Sequence, residues 1–469
     1  MNSEELGFLP AIQLAELIRT KQISPVEYMR ALLERIEALD PKVNAFVYLG
    51  ADQAMDAARA AEAKLMSGDR IGRLHGVPVS IKDLAITKDM PTQQGSLMYE
   101  GNQPTEDAPI VPRLKDQGAI ILGKTTTSEF GWKGVSQSPL TGITHNPWKS
   151  GYNAGASSAG AGAASAAGFG PLHQGSDGAG SIRMPAHFCG VFGLKPSFGR
   201  VPNYPVSTGD MTSHNGPLTR TVADGALLLE VMAGPHPLDY TTLEAGPAAY
   251  QARLHEGVKG KRIAYSPDLG HARVDPDVAA LVKAAVAQFT ELGAIVEEVA
   301  TPWAAPGPEL IRFFWSAHLT RLKPQLEKWE SRMDPGLVAC IKAATDVSVA
   351  DYQLARERKM AYVASIGRWF EGWDFLLTPA VSVAAFPAEK LMPDHWPRHD
   401  WDWVSWAEFS YPFNMSWNPA ASVPCGFTAD GLPVGLQIVG KRFDDLGVLQ
   451  ASAAFEAIQP WADKRPVLA

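Results

Sequence analysis

The chain has 469 residues, with 42 Lys and Arg against 50 Asp and Glu, a formal net charge of −8. No basic block stands out that would neutralise a row of phosphates, which argues against nucleic acid as a main partner. With 46% hydrophobic and 20% charged residues, 42 Gly and 36 Pro, the composition is that of a globular protein with a sizeable core, neither disordered nor fibrous.

In chain order, the start MNSEELGF is acidic where a secretory signal needs a basic stretch and then an apolar run, so no export is expected. The first 70 residues read as helices: Leu14 and Ile18, then Tyr28, Leu32, Leu33, Ile36 and Leu39, repeat at helical spacing, with Ser24-Pro25 placed as an N-cap and first-turn pair. After Gly76, VPVSIKDL alternates and is β-branched, which predicts a strand leading into a loop. From Val111 a helical pattern, VPRLKDQG, runs into the apolar strand AIILG, and the same order recurs at 282–299. Further strands are predicted at 261–266 and 374–379, and as a pair within 421–440 split by Asp430-Gly431. Such alternation predicts an α/β fold, a large sheet covered by helices, with a late hairpin. The longest weakly polar run, 154–168, holds only Ala, Gly and Ser and is too short and too weakly apolar to span a bilayer. Three distant cysteines, Cys189, Cys340 and Cys425, suggest neither a zinc cage nor a disulfide framework and fit a reducing compartment.

Several motifs have competing readings. Residues Gly118 to Thr125 match the P-loop spacing, yet the four middle residues are Ala-Ile-Ile-Leu, a buried strand rather than a phosphate-binding loop. Gly160 to Ser165 nearly forms a dinucleotide fingerprint, but no strand precedes it and the third glycine is replaced. The Ala/Gly/Ser run reads either as a small-residue helix packed close to a sheet or as part of a site. The following segment, GSDGAGSIRMP (175–185), favours a site: Asp177 and Arg183 bracket Ser181 in a glycine-rich bend, where backbone N–H groups can converge on one point beside a serine nucleophile. A base is then required. No G-x-S-x-G elbow is present, and His75, His173 and His187 are read as structural. Lys82, ending an apolar strand, suits a lysine whose pKa is lowered by desolvation, although Lys82-Asp83 alone also reads as a salt-bridged strand end.

Taken together, these residues resemble the amidase signature family of serine hydrolases. Its pattern appears as Lys82, as Gly155-Ala156-Ser157-Ser158-Ala159-Gly160, and as Gly175 to Pro185, with the two key serines 24 residues apart. Further blocks that look like the family's are GKTTTSEF (123–130), HNPW (145–148), FCGVFGLKPSFGRVP (188–202), GPLTRTVAD (216–224), DFLLTPA (374–380) and segments of 418–440. The resemblance implies one amidase domain over 1–469, with a large mixed β-sheet core covered by helices on both faces. Within it, 1–70 is a helical region, 71–225 the catalytic core, 300–417 a variable substrate-pocket region and 418–445 a core hairpin. It also implies a Ser–cisSer–Lys triad of Ser181, Ser157 and Lys82. The backbone of Gly178, Ala179, Gly180 and Ser181 would form the oxyanion hole, with Ser158, Ser176, Asp177 and Arg183 in support. Ala156 and Ala179 depart from the family's glycines without removing a reacting group.

The implied chemistry is hydrolysis of a carboxylic amide to acid plus amine or ammonia through a Ser181 acyl-enzyme, with no metal and no cofactor. The alternative within the family is the amidase subunit of a glutamine-dependent tRNA amidotransferase. The expected partner is a small-molecule amide, with no nucleic acid and no membrane; a homodimer is left open, and the expected location is cytoplasmic. Ten of the 13 tryptophans lie between Trp303 and Trp417. They read either as packing under long loops or, for Trp396, Trp401, Trp403, Trp406 and Trp417, as one wall of a hydrophobic or aromatic substrate site.

Overall fold

A computed structural model describes residues 3–208, 212–244 and 249–468. Eleven strands form one mixed sheet: β1 (Phe46–Leu49), β2 (Pro78–Lys82), β3 (Ile120–Thr125), β4 (Leu172–Asp177), β5 (Phe192–Lys195), β6 (His214–Thr219), β7 (Arg262–Tyr265), β8 (Ile295–Glu298), β9 (Phe375–Pro379), β10 (Ala420–Phe427) and β11 (Pro433–Gly440). Their order is β1-β3-β2-β4-β6-β5-β10-β11-β9-β7-β8. The pairings β3-β2, β2-β4, β9-β7 and β7-β8 are parallel, and the others are antiparallel. Because β2 and β4 run parallel, their C-terminal ends, at Lys82 and Asp177, emerge on the same edge of the sheet.

Side-chain alternation along the strands divides the core into two apolar clusters. On β9, Phe375 and Leu377 belong to one cluster with Phe289 and Ile438, whereas Leu376 belongs to the other with Val439, Trp403 and Tyr411. Helices Pro276–Glu291 and Gly307–Leu319 contribute to the first and second cluster respectively, so both faces are covered. Among the described residues, no helix is long and apolar enough to cross a membrane.

Local signals explain much of this. The Ser24 hydroxyl accepts from the N–H groups of Val26 and Glu27 at 3.0 and 3.2 Å, and Pro25 opens the helix that runs to Val43. The helical reading of residues 1–70 misses β1, a four-residue edge strand between two helices, too short to show a period. The P-loop match runs as the buried strand β3, and Lys124 donates to Ala85 O at 2.6 Å and Thr92 Oγ1 at 2.7 Å. The Ala/Gly/Ser run includes the helix Ala159–Ala167, all nine residues buried. Small size is required there: a Cβ on Gly160 would lie 2.1 Å from the Ala45 carbonyl oxygen.

Candidate active site

Lys82 is the last residue of β2, and its amine is fully buried. Nζ lies 2.8 Å from Ser157 Oγ, 2.9 Å from Ser158 Oγ, 3.0 Å from Ser176 Oγ and 3.2 Å from Ser176 O. No carboxylate among the described residues forms an ion pair with it. Burial lowers its pKa from the ordinary lysine range to about 7, with the Asp177 charge pulling the other way.

Ser157 follows a cis peptide bond from Ala156, and Ser158 precedes the small-residue helix. The turn is tight at Gly155, where φ is 77° and a Cβ would meet the Pro185 nitrogen at 2.6 Å. The hydrogen bonding of the two serines differs. Ser158 donates its proton to Ser176 O at 3.0 Å and accepts from Ser176 N–H at 3.1 Å as well as from Lys82. Ser157 has Lys82 as its only hydrogen-bond partner among the described residues, and its side chain faces a cavity that Ser158 does not line.

Ser181 lies in the bend between β4 and the short helix Arg183–Cys189, and its carbonyl accepts from Ser158 N–H at 3.2 Å. Asp177 shapes this bend by accepting from the N–H groups of Gly180 at 2.6 Å and Ile182 at 3.1 Å. Arg183 is fully buried and uses all five of its donors: two on Asp177, and one each on Ser410 O, Gln437 Oε1 and Asn414 Oδ1. Burial alone would raise the Asp177 pKa, but the adjoining guanidinium overrides it and holds the carboxyl well below the usual range. Gly180 has φ of 114°, and a Cβ there would lie 2.5 Å from Ser410 Oγ. Ala179 is tolerated because its methyl packs in the second apolar cluster while its carbonyl accepts from Ser410 Oγ at 2.7 Å.

Of the four backbone N–H groups assigned to the oxyanion hole by resemblance, that of Gly180 is occupied by Asp177. Those of Gly178, Ala179 and Ser181 donate to no acceptor among the described residues. The three histidines near the motifs are buried and hydrogen-bonded elsewhere: His75 to Ala61 O, His173 to Ser80 and Gly170 O, and His187 to Val383 O and Gly435 N–H. None of them lines the cavity.

Lys82, Ser157, Ser176, Gly178 and Ser181 form the floor of a cavity of about 360 Å³. Leu84, Ile86, Phe130, Val206 and Trp315 supply apolar lining, while Gln174, Asn203 and Asn215 supply polar lining. Gln94 and Phe130, both lining residues, have left-handed backbone conformations (φ 56° and 50°), and Phe130 N–H donates to Gln94 O at 2.8 Å.

The expected tryptophan wall is not found. Trp403 and Trp406 are fully buried in the second core cluster, Trp396 packs there too, and Trp417 stacks on Phe198 with ring centroids 4.9 Å apart. Their indoles are anchored inside the protein: Trp403 Nε1 donates to Trp132 O at 2.7 Å and Trp406 Nε1 to Leu391 O at 3.0 Å. Trp315 is the tryptophan that reaches the cavity, and its sequence neighbourhood carries no tryptophan cluster to mark it.

The family model Amidase matches residues 27–449. An acylamidase of Rhodococcus erythropolis is 39% identical over 99% of this chain and 98% of its own length. A glutamyl-tRNA(Gln) amidotransferase subunit from Moorella thermoacetica is 35% identical over 99% of this chain and 99% of its own length. Among solved structures, a bacterial aryl acylamidase of the amidase signature family superposes with a TM-score of 0.91 at 29% identity, covering 98% of this chain and 99% of that one. With the family model spanning most of the chain and full-length relatives well above 30% identity, the chain belongs to the amidase signature family and is a hydrolase of carboxylic amide C–N bonds.

Proposed function

We propose that Ser181 attacks the amide carbonyl while Ser157 and Lys82 relay its proton. The observation that carries this reading is the 2.8 Å contact between a buried lysine, lowered to about 7, and a serine whose own proton has no other acceptor. Neutral Lys82 takes a proton from Ser157, Ser157 takes one from Ser181, and the Ser181 oxygen bonds to the carbonyl carbon. Backbone N–H groups of Gly178, Ala179 and Ser181 receive the oxyanion, while Gly180, held by Asp177, keeps the bend in shape. The relay then reverses: Ser157 protonates the leaving nitrogen, Lys82 reprotonates Ser157, and the C–N bond breaks. Water, deprotonated through the same relay, hydrolyses the acyl-enzyme to acid and free Ser181.

The substrate is a small-molecule amide with an apolar or aromatic portion against Phe130 and Trp315. Acylamidase and aryl acylamidase relatives support this choice. An amidotransferase component is the second reading, favoured by the full-length relative from Moorella. Purified chain without partner proteins is assayed against aliphatic and aryl amides for amine or ammonia release. Turnover that Ser181→Ala abolishes is the expected result. Turnover within about tenfold of wild type in that variant sinks the nucleophile assignment, and activity only with glutamine and partner proteins favours the second reading.

A further inference from the structure

We infer that Arg321 is a specificity residue that receives an anionic group, a carboxylate, on the amide substrate; this rests on the active-site reading above. Arg321 lines the same cavity as Lys82, Ser157 and Ser181. Among the described residues its side chain is given neither a hydrogen bond nor an ion pair, and no Asp or Glu lines the cavity. Its guanidinium instead lies 6.0 Å from the centre of the Phe130 ring. That ring belongs to a continuous wall: the next residue, Gly131, lies against Ser157, so closely that a Cβ there would meet Ser157 Oγ at 3.1 Å.

The chemistry of the lining follows from these positions. Lys82 has its Nζ turned to three serine hydroxyls and, in the proposed relay, works as a neutral amine. Arg321 is then the permanent charge facing the cavity among its described lining residues, at a solvent-accessible position where a guanidinium can offer a planar pair of N–H donors. Phe130, held in a left-handed backbone conformation, supplies the apolar surface between this cation and the serines. A substrate with its amide at Ser181, an apolar segment on Phe130 and a carboxylate beyond it matches this order. A cationic substrate end meets like charge and no acceptor carboxylate.

The carboxylate can sit on the acyl or on the amine portion, and two matched pairs separate these: succinanilate against butyranilide, and 4-acetamidobenzoate against 4-methylacetanilide. Values of kcat/KM are measured for wild type, Arg321→Gln and Arg321→Lys, at low and high salt. In at least one pair the anionic member is expected to be favoured by about tenfold, the scale of a charge-assisted hydrogen-bonded pair. Arg321→Gln should remove that preference while changing the neutral member less than about twofold, Arg321→Lys should retain part of it, and salt should weaken it. Where a pair is not turned over, its members are compared as competitive inhibitors of an amide that is, and the same ratio decides. A ratio below about threefold in both pairs, or a Gln variant that slows neutral and anionic members alike, overturns the proposal. Failure of the underlying reading shows separately, as neutral anilide hydrolysis that survives Ser181→Ala.

Discussion

Two neighbouring serines touch the Lys82 amine, and the destinations of their protons separate their roles. Ser158 donates its O–H to Ser176 O, so towards Lys82 it acts only as an acceptor, whereas the Ser157 proton is available to the amine. Ser157→Ala is therefore expected to slow amide hydrolysis by about 10²–10⁴-fold and hydrolysis of an activated ester much less, because only the amine leaving group needs protonation. Ser158→Ala should slow both substrates to a similar degree; parallel amide and ester kinetics on the two variants check this. In the proposed relay Lys82 also sets the pH dependence. Its working form is neutral and its pKa is lowered to about 7, so kcat/KM should fall as pH drops below about 7 and level off above it. A profile flat from pH 5 to 9 would remove Lys82 as the titrating base.

At the scale of elements, the bend carrying Ser181 is held from outside itself. Asp177 ends β4, Arg183 opens the following helix, and the remaining donors of Arg183 reach Ser410, Asn414 and Gln437, which lie beyond residue 400. A lysine at 183 keeps the charge but has three donors in place of five and no planar fork. Arg183→Lys is expected to lower stability by about 1–3 kcal/mol, the scale of leaving a buried acceptor unsatisfied, and to reduce kcat more than it raises KM. Urea unfolding and steady-state kinetics on the same preparation test both effects. Full stability with full activity would show that the bend holds its shape without the fork.

Across the whole molecule, the sheet separates two apolar clusters, and the cavity opens beside the second. Tryptophans therefore divide by position rather than by sequence density. Trp403 is fully buried with its indole on Trp132 O, whereas Trp315, sharing that acceptor at 2.9 Å, also faces the cavity. Trp403→Leu should destabilise the protein by about 1–3 kcal/mol, through the cavity it leaves, and preserve the ratio of kcat/KM between an anilide and acetamide. Trp315→Leu should lower that ratio. Thermal unfolding paired with the two-substrate ratio distinguishes these outcomes, and a ratio equally disturbed by both variants would count against Trp315 as the substrate-facing ring.

The sequence alone picked out, in compact motifs, residues that the structure gathers around one cavity: Lys82 at a strand end, Ser157 of the pair 157–158, and Ser176, Gly178 and Ser181 of the segment 175–185. It also determined the strands with strong apolar or β-branched patterns, such as β2, β3 and β9. The strands β4, β5 and β6 stayed hidden, because LHQGSD, FGLK and HNGPLT contain Gly, Pro, Asn and Asp that suppress strand propensity; their burial between neighbouring strands supplies what local preference lacks. Only the tertiary structure decided which tryptophan reaches the cavity, that Arg321 faces it, and that Ser410, Asn414 and Gln437 anchor Arg183. Those contacts join residues far apart in the chain, and a side chain's partner across such a separation is set by how the sheet and helices pack, which no local periodicity encodes.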